Sequence, residues 1–324
     1  MFEELRIAQY RFTLEAGEQG LELPAWKAST FRGAFGHVFK RLSCMHPEQA
    51  CSSCTALSYC AYPYIFETRP DQEDGFMGKY DQVPRPYLFE VPQDKQTHYE
   101  AGDLLTFDLR LFGKAIDYAP LFVTAFKELG REGIGKGRKP FRLIHVENRD
   151  EYNGKHRSMY MNLESGIVHQ PVVLTGKEII ERERARIDGA GGVEKVMIFF
   201  ETPLRLKWKG QYTTDVQFSV LFRTLLRRMT GLLQFHHDVQ PEWPIRELVE
   251  RAERVRLVEK RVKWLDYDRY SVRQDVKMKM GGVVGWALYE GEIAEFLPWL
   301  KAAEHTHVGK NTAFDLGRVR VTHL

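Results

Sequence analysis

All four cysteines of this 324-residue chain lie in one short stretch, at positions 44, 51, 54 and 60. Four thiolates can complete a closed tetrahedral zinc site or hold an iron–sulfur cluster. Cys51 and Cys54 have the C-x2-C spacing of such sites, whereas the outer spacings are loose. The sequence predicts a structural zinc site formed by Cys44, Cys51, Cys54 and Cys60. An iron–sulfur cluster, free thiols and His46 as a substitute ligand are the alternatives.

The stretch before the cysteines is predicted to form an amphipathic helix that carries a histidine. Five apolar residues share one face at helical spacing: Phe31, Phe35, Val38, Phe39 and Leu42. Gly33, Gly36 and His37 fall on the opposite face. Imidazole titrates near neutral pH and therefore suits proton transfer. His37 is either a catalytic residue or a surface histidine without a role.

The two glycines of this helix each cost about 1 kcal/mol relative to alanine. Gly33 and Gly36 therefore indicate a close approach on the face that they share with His37. The approaching group is either the backbone of a polyanion or another element of the fold. Ser29 or Thr30 is expected to cap the start of the helix.

Length and composition indicate a globular protein of two domains. The 324 residues are 43% hydrophobic and 12% aromatic, which is enough for two packed cores. The sequence has neither an apolar run of about 20 residues nor the features of a signal peptide, so we expect a cytoplasmic protein with no membrane partner. The net charge is only +3. Cations nevertheless concentrate at residues 133–139 (GIGKGRK) and 251–263. Each run is either part of a nucleic-acid-binding surface or a solvated surface without a partner.

Apolar periodicity predicts the same order of elements twice. In the first half it predicts strands at residues 6–14, 62–68, 104–112 and 141–146 and helices at 30–43 and 118–129. In the second half it predicts strands at 196–206, 254–264, 283–289 and 318–322 and helices at 217–235 and 292–304. Each half thus has the βαββαβ pattern of a ferredoxin-like fold.

The fold class is therefore predicted as α+β, with tandem ferredoxin-like (RRM-like) domains. The segment GAGG at residues 189–192 separates a domain at 1–192 from a domain at 193–324. A cysteine-knuckle insertion, at about residues 43–68, belongs to the first domain. Such sheets recur in RNA recognition, but the fold alone assigns no function.

Three motifs resemble the CRISPR-associated precursor-RNA endoribonucleases of the RAMP superfamily. They are RGAFGH at residues 32–37, WLDYDRYS at 264–271 continuing into GGVVG at 281–285, and HVGKNTAFDLGR at 307–318. The last resembles the C-terminal glycine-rich loop of the family, with Asn311 and Asp315 where glycine is usual. The first motif and the cysteines after it resemble a variant of the family that carries a metal knuckle.

The resemblance implies cleavage of CRISPR repeat RNA into guide RNAs without a catalytic metal. The ribose 2′-hydroxyl would attack the adjacent phosphate and leave a 2′,3′-cyclic phosphate and a 5′-hydroxyl. His37 matches the histidine that transfers protons in the family, and Lys40 and Arg41 are the nearest cations for the transition-state charge. The predicted RNA contacts are Arg32, Lys136, Arg138, Lys139, Arg273, Lys310 and Arg318.

Several alternatives stay open at this point. His236 and His237 end the predicted helix at 217–235 and are either the catalytic pair or partners of the helix C-terminus. A non-catalytic RAMP subunit would bind guide RNA in an effector complex with the same fold. A redox protein built on the cysteine cluster is the third reading. The sequence also leaves open whether the chain forms a homodimer.

Overall fold

A computed structural model describes residues 1–57, 59–67, 83–161, 166–271 and 276–324, with side chains left out at 268–278. Its contacts divide the chain into two units. The N-terminal unit is Arg6–Leu174, and the C-terminal unit is Thr175–Leu324 together with Met1–Leu5. Each unit contains an antiparallel sheet with helices packed against it.

The N-terminal unit has a ferredoxin-like sheet with two added strands. Its elements are β1 (Arg6–Ala16), β2 (Leu21–Glu22), α1 (Ala28–Ser43), β3 (Tyr87–Glu90), β4 (His98–Tyr99), β5 (Leu104–Phe112), α2 (Ala119–Glu132), β6 (Phe141–Asp150) and β7 (Lys155–Met161). The strand order is β3-β5-β1-β6-β7, and β8 (Leu174–Thr175) pairs with β1. Strands β1, β3, β5 and β6 thus take the four positions of the ferredoxin-like order.

The C-terminal unit repeats that order. Its elements are α3 (Gly176–Gly189), β9 (Lys195–Leu204), β10 (Leu206–Trp208), β11 (Gln211–Thr213), α4 (Phe218–His236), α5 (Ile245–Ala252), β12 (Arg256–Ser271), β13 (Val276–Glu290), α6 (Leu297–Thr306) and β14 (Val319–His323). The sheet order is β12-β13-β9-β14, and β10 and β11 form a separate hairpin. The predicted class, α+β with tandem ferredoxin-like domains, is confirmed.

The two units meet in sequence at residues 174 and 175, whereas the glycine-rich segment had predicted a boundary at 192. Helix α3 accounts for the difference. Thr175 and Glu178 form a capping box at its start, and the helix packs against α6 of the C-terminal unit. The GAGG segment therefore ends a helix that belongs to the second unit.

Phenylalanine rings hold α1 and α2 together in the N-terminal unit. Phe35 is fully buried, and its ring centroid lies 4.7 Å from that of Phe122 and 5.3 Å from that of Phe126. Phe31 and Phe39, one helical turn to either side, are buried as well. This apolar face orients the opposite face of α1 away from the core.

Two local predictions for this unit are wrong. Residues 62–68 were expected to form a strand, but Pro63–Glu67 forms a π-helical turn whose Phe66 packs against α1. Helix α1 begins at Ala28, so Ser29 and Thr30 lie inside it rather than capping it. The residue before the helix is Lys27, whose buried ammonium lies 3.1 Å from a carboxylate oxygen of Asp94. Within the described ranges, no helix has the length and apolar character needed to cross a membrane.

Candidate functional site

Helix α1 exposes His37 beside a buried aromatic face. Phe35 and Val38, its near neighbours in sequence, are fully buried, whereas His37 is exposed. Residues three and four apart are neighbours on a helix surface, so Gly33, Lys40 and Arg41 lie one turn from His37. The imidazole is therefore accessible to a ligand lying along this face.

The two glycines of α1 have different surroundings. A Cβ atom at Gly36 would lie 2.6 Å from the Phe66 ring, so Gly36 makes room for the π-helical turn. A Cβ atom at Gly33 would meet nothing within 4 Å. Packing within the fold therefore explains Gly36, whereas Gly33 leaves an open surface one turn before His37.

The different surroundings predict opposite effects of alanine at the two positions. Gly33→Ala is expected to raise the free energy of unfolding by about 1 kcal/mol, because alanine favours the helix. Gly36→Ala is expected to lower the free energy of unfolding. Displacing the Phe66 ring costs about 1–3 kcal/mol, which outweighs the gain of about 1 kcal/mol from the helix propensity of alanine. Urea denaturation of the two variants measures both changes. Equal stabilisation by both substitutions would contradict the close packing at Gly36.

The cations of α1 differ in how far the protein already engages them. The Lys40 ammonium lies 5.5 Å from the centroid of the Tyr62 ring. Arg41 forms an ion pair with Glu132 at the end of α2. The Arg32 guanidinium lies 5.2 Å from the Phe66 ring centroid, and its positive charge acts on the buried Tyr87 hydroxyl. Lys40 is thus better placed than Arg41 for a ligand at His37, and Arg32 packs inside the unit.

Sequence reasoning missed one cation of this region, Arg85. Burial lowers the pKa of its guanidinium, and the nearby charge of Arg32 lowers it further, while Tyr87 and Glu67 act in the opposite direction. Burial raises the pKa of the Tyr87 hydroxyl, partly offset by the two arginines. No apolar periodicity surrounds Arg85 in the sequence, so no pattern there points to it.

All four cysteines line one small cavity of about 10 Å³, together with Met45, His46 and Tyr62. Burial raises the pKa of the Cys60 thiol, and the charges of Cys44, Cys51 and Cys54 raise it further. The thiols are free and partly exposed. As arranged in the described ranges, no group of three or more His, Cys, Asp or Glu side chains could hold a metal ion. The donor chemistry fits zinc, but the thiol positions do not form a coordination site.

The cationic loop after α2 is a compact turn. Gly133, Gly135 and Gly137 all have positive φ angles, and a Cβ atom at Gly133 would lie 2.0 Å from the Arg138 carbonyl oxygen. Lys136 forms an ion pair with Glu22 at 2.9 Å and lowers the pKa of that carboxyl. Arg138 is exposed and Lys139 is half-buried. The loop therefore presents Lys136, Arg138 and Lys139 together on the N-terminal unit.

The C-terminal loop at residues 307–318 turns through four left-handed positions besides His307. Gly309 and Gly317 have φ angles of +96° and +74°, and Asn311 and Asp315 have φ angles of +64° and +59°. Asparagine and aspartate are the residues, besides glycine, that enter this region most readily. Asn311 and Asp315 thus have the left-handed backbone conformation that glycine adopts most easily.

Two predicted RNA contacts lie in or beside this loop. The backbone N–H of Lys310 donates to the carbonyl oxygen of Arg205, and the Lys310 side chain is half-buried. Arg318 donates two hydrogen bonds from Nη2 to the carboxylate of the buried Asp315, each at 2.9 Å. The Arg318 side chain is thus already paired within the C-terminal unit. Arg273 lies outside the described residues.

His236 and His237 do not form an accessible pair. His236 is fully buried. His237 follows the last residue of α4, and its Nδ1 lies 2.9 Å from the carbonyl oxygen of Leu232. The His237 ring thus contacts a carbonyl group near the end of α4.

The chain matches two family models, one in each unit. Residues 5–172, more than half of the chain, match the AF_1859_N N-terminal domain. Residues 198–319 match the CRISPR-associated endoribonuclease Cas6. The chain belongs to the family of the AF_1859_N domain, and its C-terminal part is a Cas6 domain. No curated protein sequence matches it.

Solved structures of Cas6 proteins share the fold. A Cas6 in a product complex is 16% identical, and the match covers 98% of this chain and 100% of that chain with a TM-score of 0.57. Thermus thermophilus Cas6 is also 16% identical, with coverages of 98% and 99% and a TM-score of 0.52. A partial Cas6-RT-Cas1–Cas2 complex is 12% identical, with 99% of this chain covered and a TM-score of 0.61.

The present chain spans only part of the larger of these proteins. It covers 46% of the chain in the partial Cas6-RT-Cas1–Cas2 complex and 29% of the chain in the other complex of that description. At 12–16% identity these matches show the common fold and not a common set of site residues.

Proposed function

We propose that this chain is a metal-independent endoribonuclease that cleaves CRISPR repeat RNA to produce guide RNAs. The observation that carries the proposal is the arrangement on α1. His37 is exposed there, Lys40 lies one turn further on, and the surface at Gly33 is open. A proton-transfer group, a cation and room for a backbone thus lie on one helix face.

The proposed reaction forms a bond between the ribose 2′-oxygen and phosphorus and breaks the bond between phosphorus and the 5′-oxygen. The 2′-hydroxyl loses a proton, and the leaving 5′-oxygen gains one. His37 performs one of these two transfers, which is typically worth 10²–10⁴-fold in rate. The Lys40 ammonium stabilises the extra negative charge of the phosphorane, which develops only in the transition state. The products are a 2′,3′-cyclic phosphate and a 5′-hydroxyl.

RNA is the proposed partner of the chain, and its phosphates are proposed to contact the exposed and half-buried cations of the two loops. Lys136, Arg138 and Lys139 provide these contacts in the N-terminal unit, and Lys310 does so in the C-terminal unit. Arg32 and Arg318 are already engaged inside their own units, so their contribution to binding is expected to be smaller. Because phosphate contacts release counterions, affinity should fall steeply as the salt concentration rises.

Incubation of the full chain with repeat RNA in EDTA tests the proposal. The expected result is cleavage at one position, with a 2′,3′-cyclic phosphate on the upstream fragment. A repeat whose scissile nucleotide lacks the 2′-hydroxyl should bind and stay intact. Binding without cleavage of several repeats would indicate a non-catalytic guide-RNA-binding subunit and would overturn the proposal. Cleavage that stops in EDTA would overturn metal independence alone.

We further propose that the four cysteines bind one structural zinc ion after their side chains close around the shared cavity. Metal analysis of the purified chain should then find about one zinc per chain. A Cys51→Ser/Cys54→Ser double variant should lose that zinc, whereas a Ser52→Ala/Ser53→Ala variant should keep it. A visible iron–sulfur chromophore, or four thiols that react with a thiol reagent in the untreated protein, would contradict the zinc site.

A further inference from the structure

Exposed aromatic side chains concentrate around the β10–β11 hairpin of the C-terminal unit. In the described part of the chain, four tyrosines and tryptophans are more than a third exposed: Tyr59, Trp208, Tyr212 and Trp264. Three of the four lie on the hairpin or on β12. The ring centroids of Tyr212 and Trp264 are 6.4 Å apart. The stacking surface is defined here as Tyr212 and Trp264 with the adjoining Arg205 and Lys207.

The indole of Trp264 is held in a fixed orientation. Its Nε1–H donates to Oδ1 of Asp266 at 2.8 Å. Gly281 pairs with Asp266 across the strands, and a Cβ atom there would lie 1.8 Å from that oxygen and 2.6 Å from the indole nitrogen. The glycine therefore makes room for this contact. Because the only polar group of the ring is already satisfied, its exposed surface is suited to stacking.

Arg205 places a buried positive charge behind Tyr212. Its side chain is 9% exposed, and its guanidinium carbon lies 4.4 Å from the Tyr212 ring centroid. One terminal nitrogen contacts the sulfur of Met280, and Nε has no hydrogen-bond partner within the described ranges. No carboxylate there forms an ion pair with it. Burying a charge without a counterion is costly, so an anion at this position would complete the site.

Further contacts connect this surface to cations and to the C-terminal loop. Lys207 lies directly opposite Tyr212 in the hairpin and is exposed. The Arg205 carbonyl oxygen accepts the backbone N–H of Lys310. Lys260 lies 3.8 Å from Asp215, so its charge is partly offset. Aromatic rings interleaved with cations next to a proposed phosphate-binding loop match single-stranded RNA, which offers bases to the rings and phosphates to the cations.

We propose that the stacking surface binds unpaired bases of the RNA on Tyr212 and Trp264, with a phosphate paired to Arg205. This inference rests on the proposed function and adds a subsite for a single-stranded segment of the same RNA. The surface is in the C-terminal unit, whereas the proposed cleavage residues are in the N-terminal unit. Substitutions in it should therefore weaken binding and leave the cleavage rate of bound RNA unchanged.

The test uses the full chain and a repeat RNA that carries a 2′-deoxy substitution at the scissile nucleotide. Tyr212→Ala and Trp264→Ala are each expected to weaken binding by roughly 5- to 150-fold, the loss typical of one stacked base. Trp264→Phe should retain most of the affinity. Trp208→Ala is the matched control, because in the register of the hairpin Trp208 pairs with Gln211 and lies on the face opposite Tyr212. Its indole lies 5.6 Å from the Arg223 guanidinium.

Wild-type affinity of Tyr212→Ala and Trp264→Ala, in folded proteins that still cleave repeat RNA, would overturn this inference and leave the proposed function intact. In another outcome, the alanine variants keep wild-type RNA affinity and yet lose binding to another protein that the wild-type chain binds. That result would assign the surface to a protein partner and would also overturn this inference. A wild-type chain that neither binds nor cleaves repeat RNA would remove the proposed function and this inference together. Melting curves distinguish folded variants from unfolded ones. If an alanine variant does not fold, the phenylalanine variant at the same position is tested in its place.

Discussion

Replacing His37 with alanine is expected to slow cleavage of repeat RNA by about 10²–10⁴-fold, with little change in RNA affinity. The imidazole is exposed on α1, so its removal creates no cavity. The helix is held by the buried ring of Phe35 on its other face. Single-turnover cleavage at saturating protein measures the rate of the chemical step, and binding of the 2′-deoxy repeat measures affinity.

The matched control for this variant is His156→Ala, which removes another exposed histidine of the same unit, on β7. It should cleave at the wild-type rate. An unchanged rate in His37→Ala would remove the catalytic role of His37. Equal losses of rate and affinity would indicate that the side chain binds RNA rather than transferring a proton.

Replacing Phe35 with alanine is expected to lower the free energy of unfolding of the N-terminal unit by about 3–5 kcal/mol. The ring is fully buried, stacks on Phe122 and Phe126, and meets Phe89 edge-on at 5.6 Å. Its removal deletes aromatic contacts on three sides and leaves a cavity between the two helices. Denaturant unfolding followed by circular dichroism measures the change.

The control for this substitution is Leu42→Ala, on the same helix. That side chain is 38% exposed, so the expected loss is within about 1 kcal/mol. A loss below about 1 kcal/mol in Phe35→Ala would show that the aromatic cluster repacks around the missing ring. Such a result would also weaken the argument that this cluster fixes the exposed face of α1.

Helix α1 and its outward histidine were predictable, because phenylalanines at positions 31, 35 and 39 define a buried face by spacing alone. The start of the helix was not. An ion pair between the buried Lys27 and the exposed Asp94, 67 residues apart, fixes the chain there, and no local pattern encodes it. The π-helical turn at Pro63–Glu67 was not predicted for a similar reason. Its alternating aromatic residues are typical of a strand, and only the packing of the Phe66 ring against Gly36 shows the difference.

The partners of the predicted cations were the least predictable part of the candidate sites. Arg41 pairs with Glu132, which lies 91 residues away on α2, so the sequence gives no sign that its charge is engaged. Gly33 and Gly36 are equivalent in the sequence, and only their neighbours in space distinguish them. Tyr212 and Trp264 belong to different elements, so their proximity follows from the packing of the hairpin and not from a motif.

The division of the chain into its two units has a consequence for how the protein is made. Residues Met1–Leu5 are synthesised before the N-terminal unit, yet they belong to the C-terminal unit, where the ring centroids of Phe2 and Trp299 are 4.8 Å apart and the Leu5 carbonyl oxygen accepts a hydrogen bond from Gly176. These contacts form only after the whole intervening unit has been synthesised. When the residues between Leu5 and Thr175 are folded, the two ends of this segment are held at fixed positions. The entropic cost of bringing Leu5 and Thr175 together is then smaller than for a flexible loop of the same length. Folding of Arg6–Leu174 before the rest of the chain would thus favour completion of the unit that encloses it in sequence.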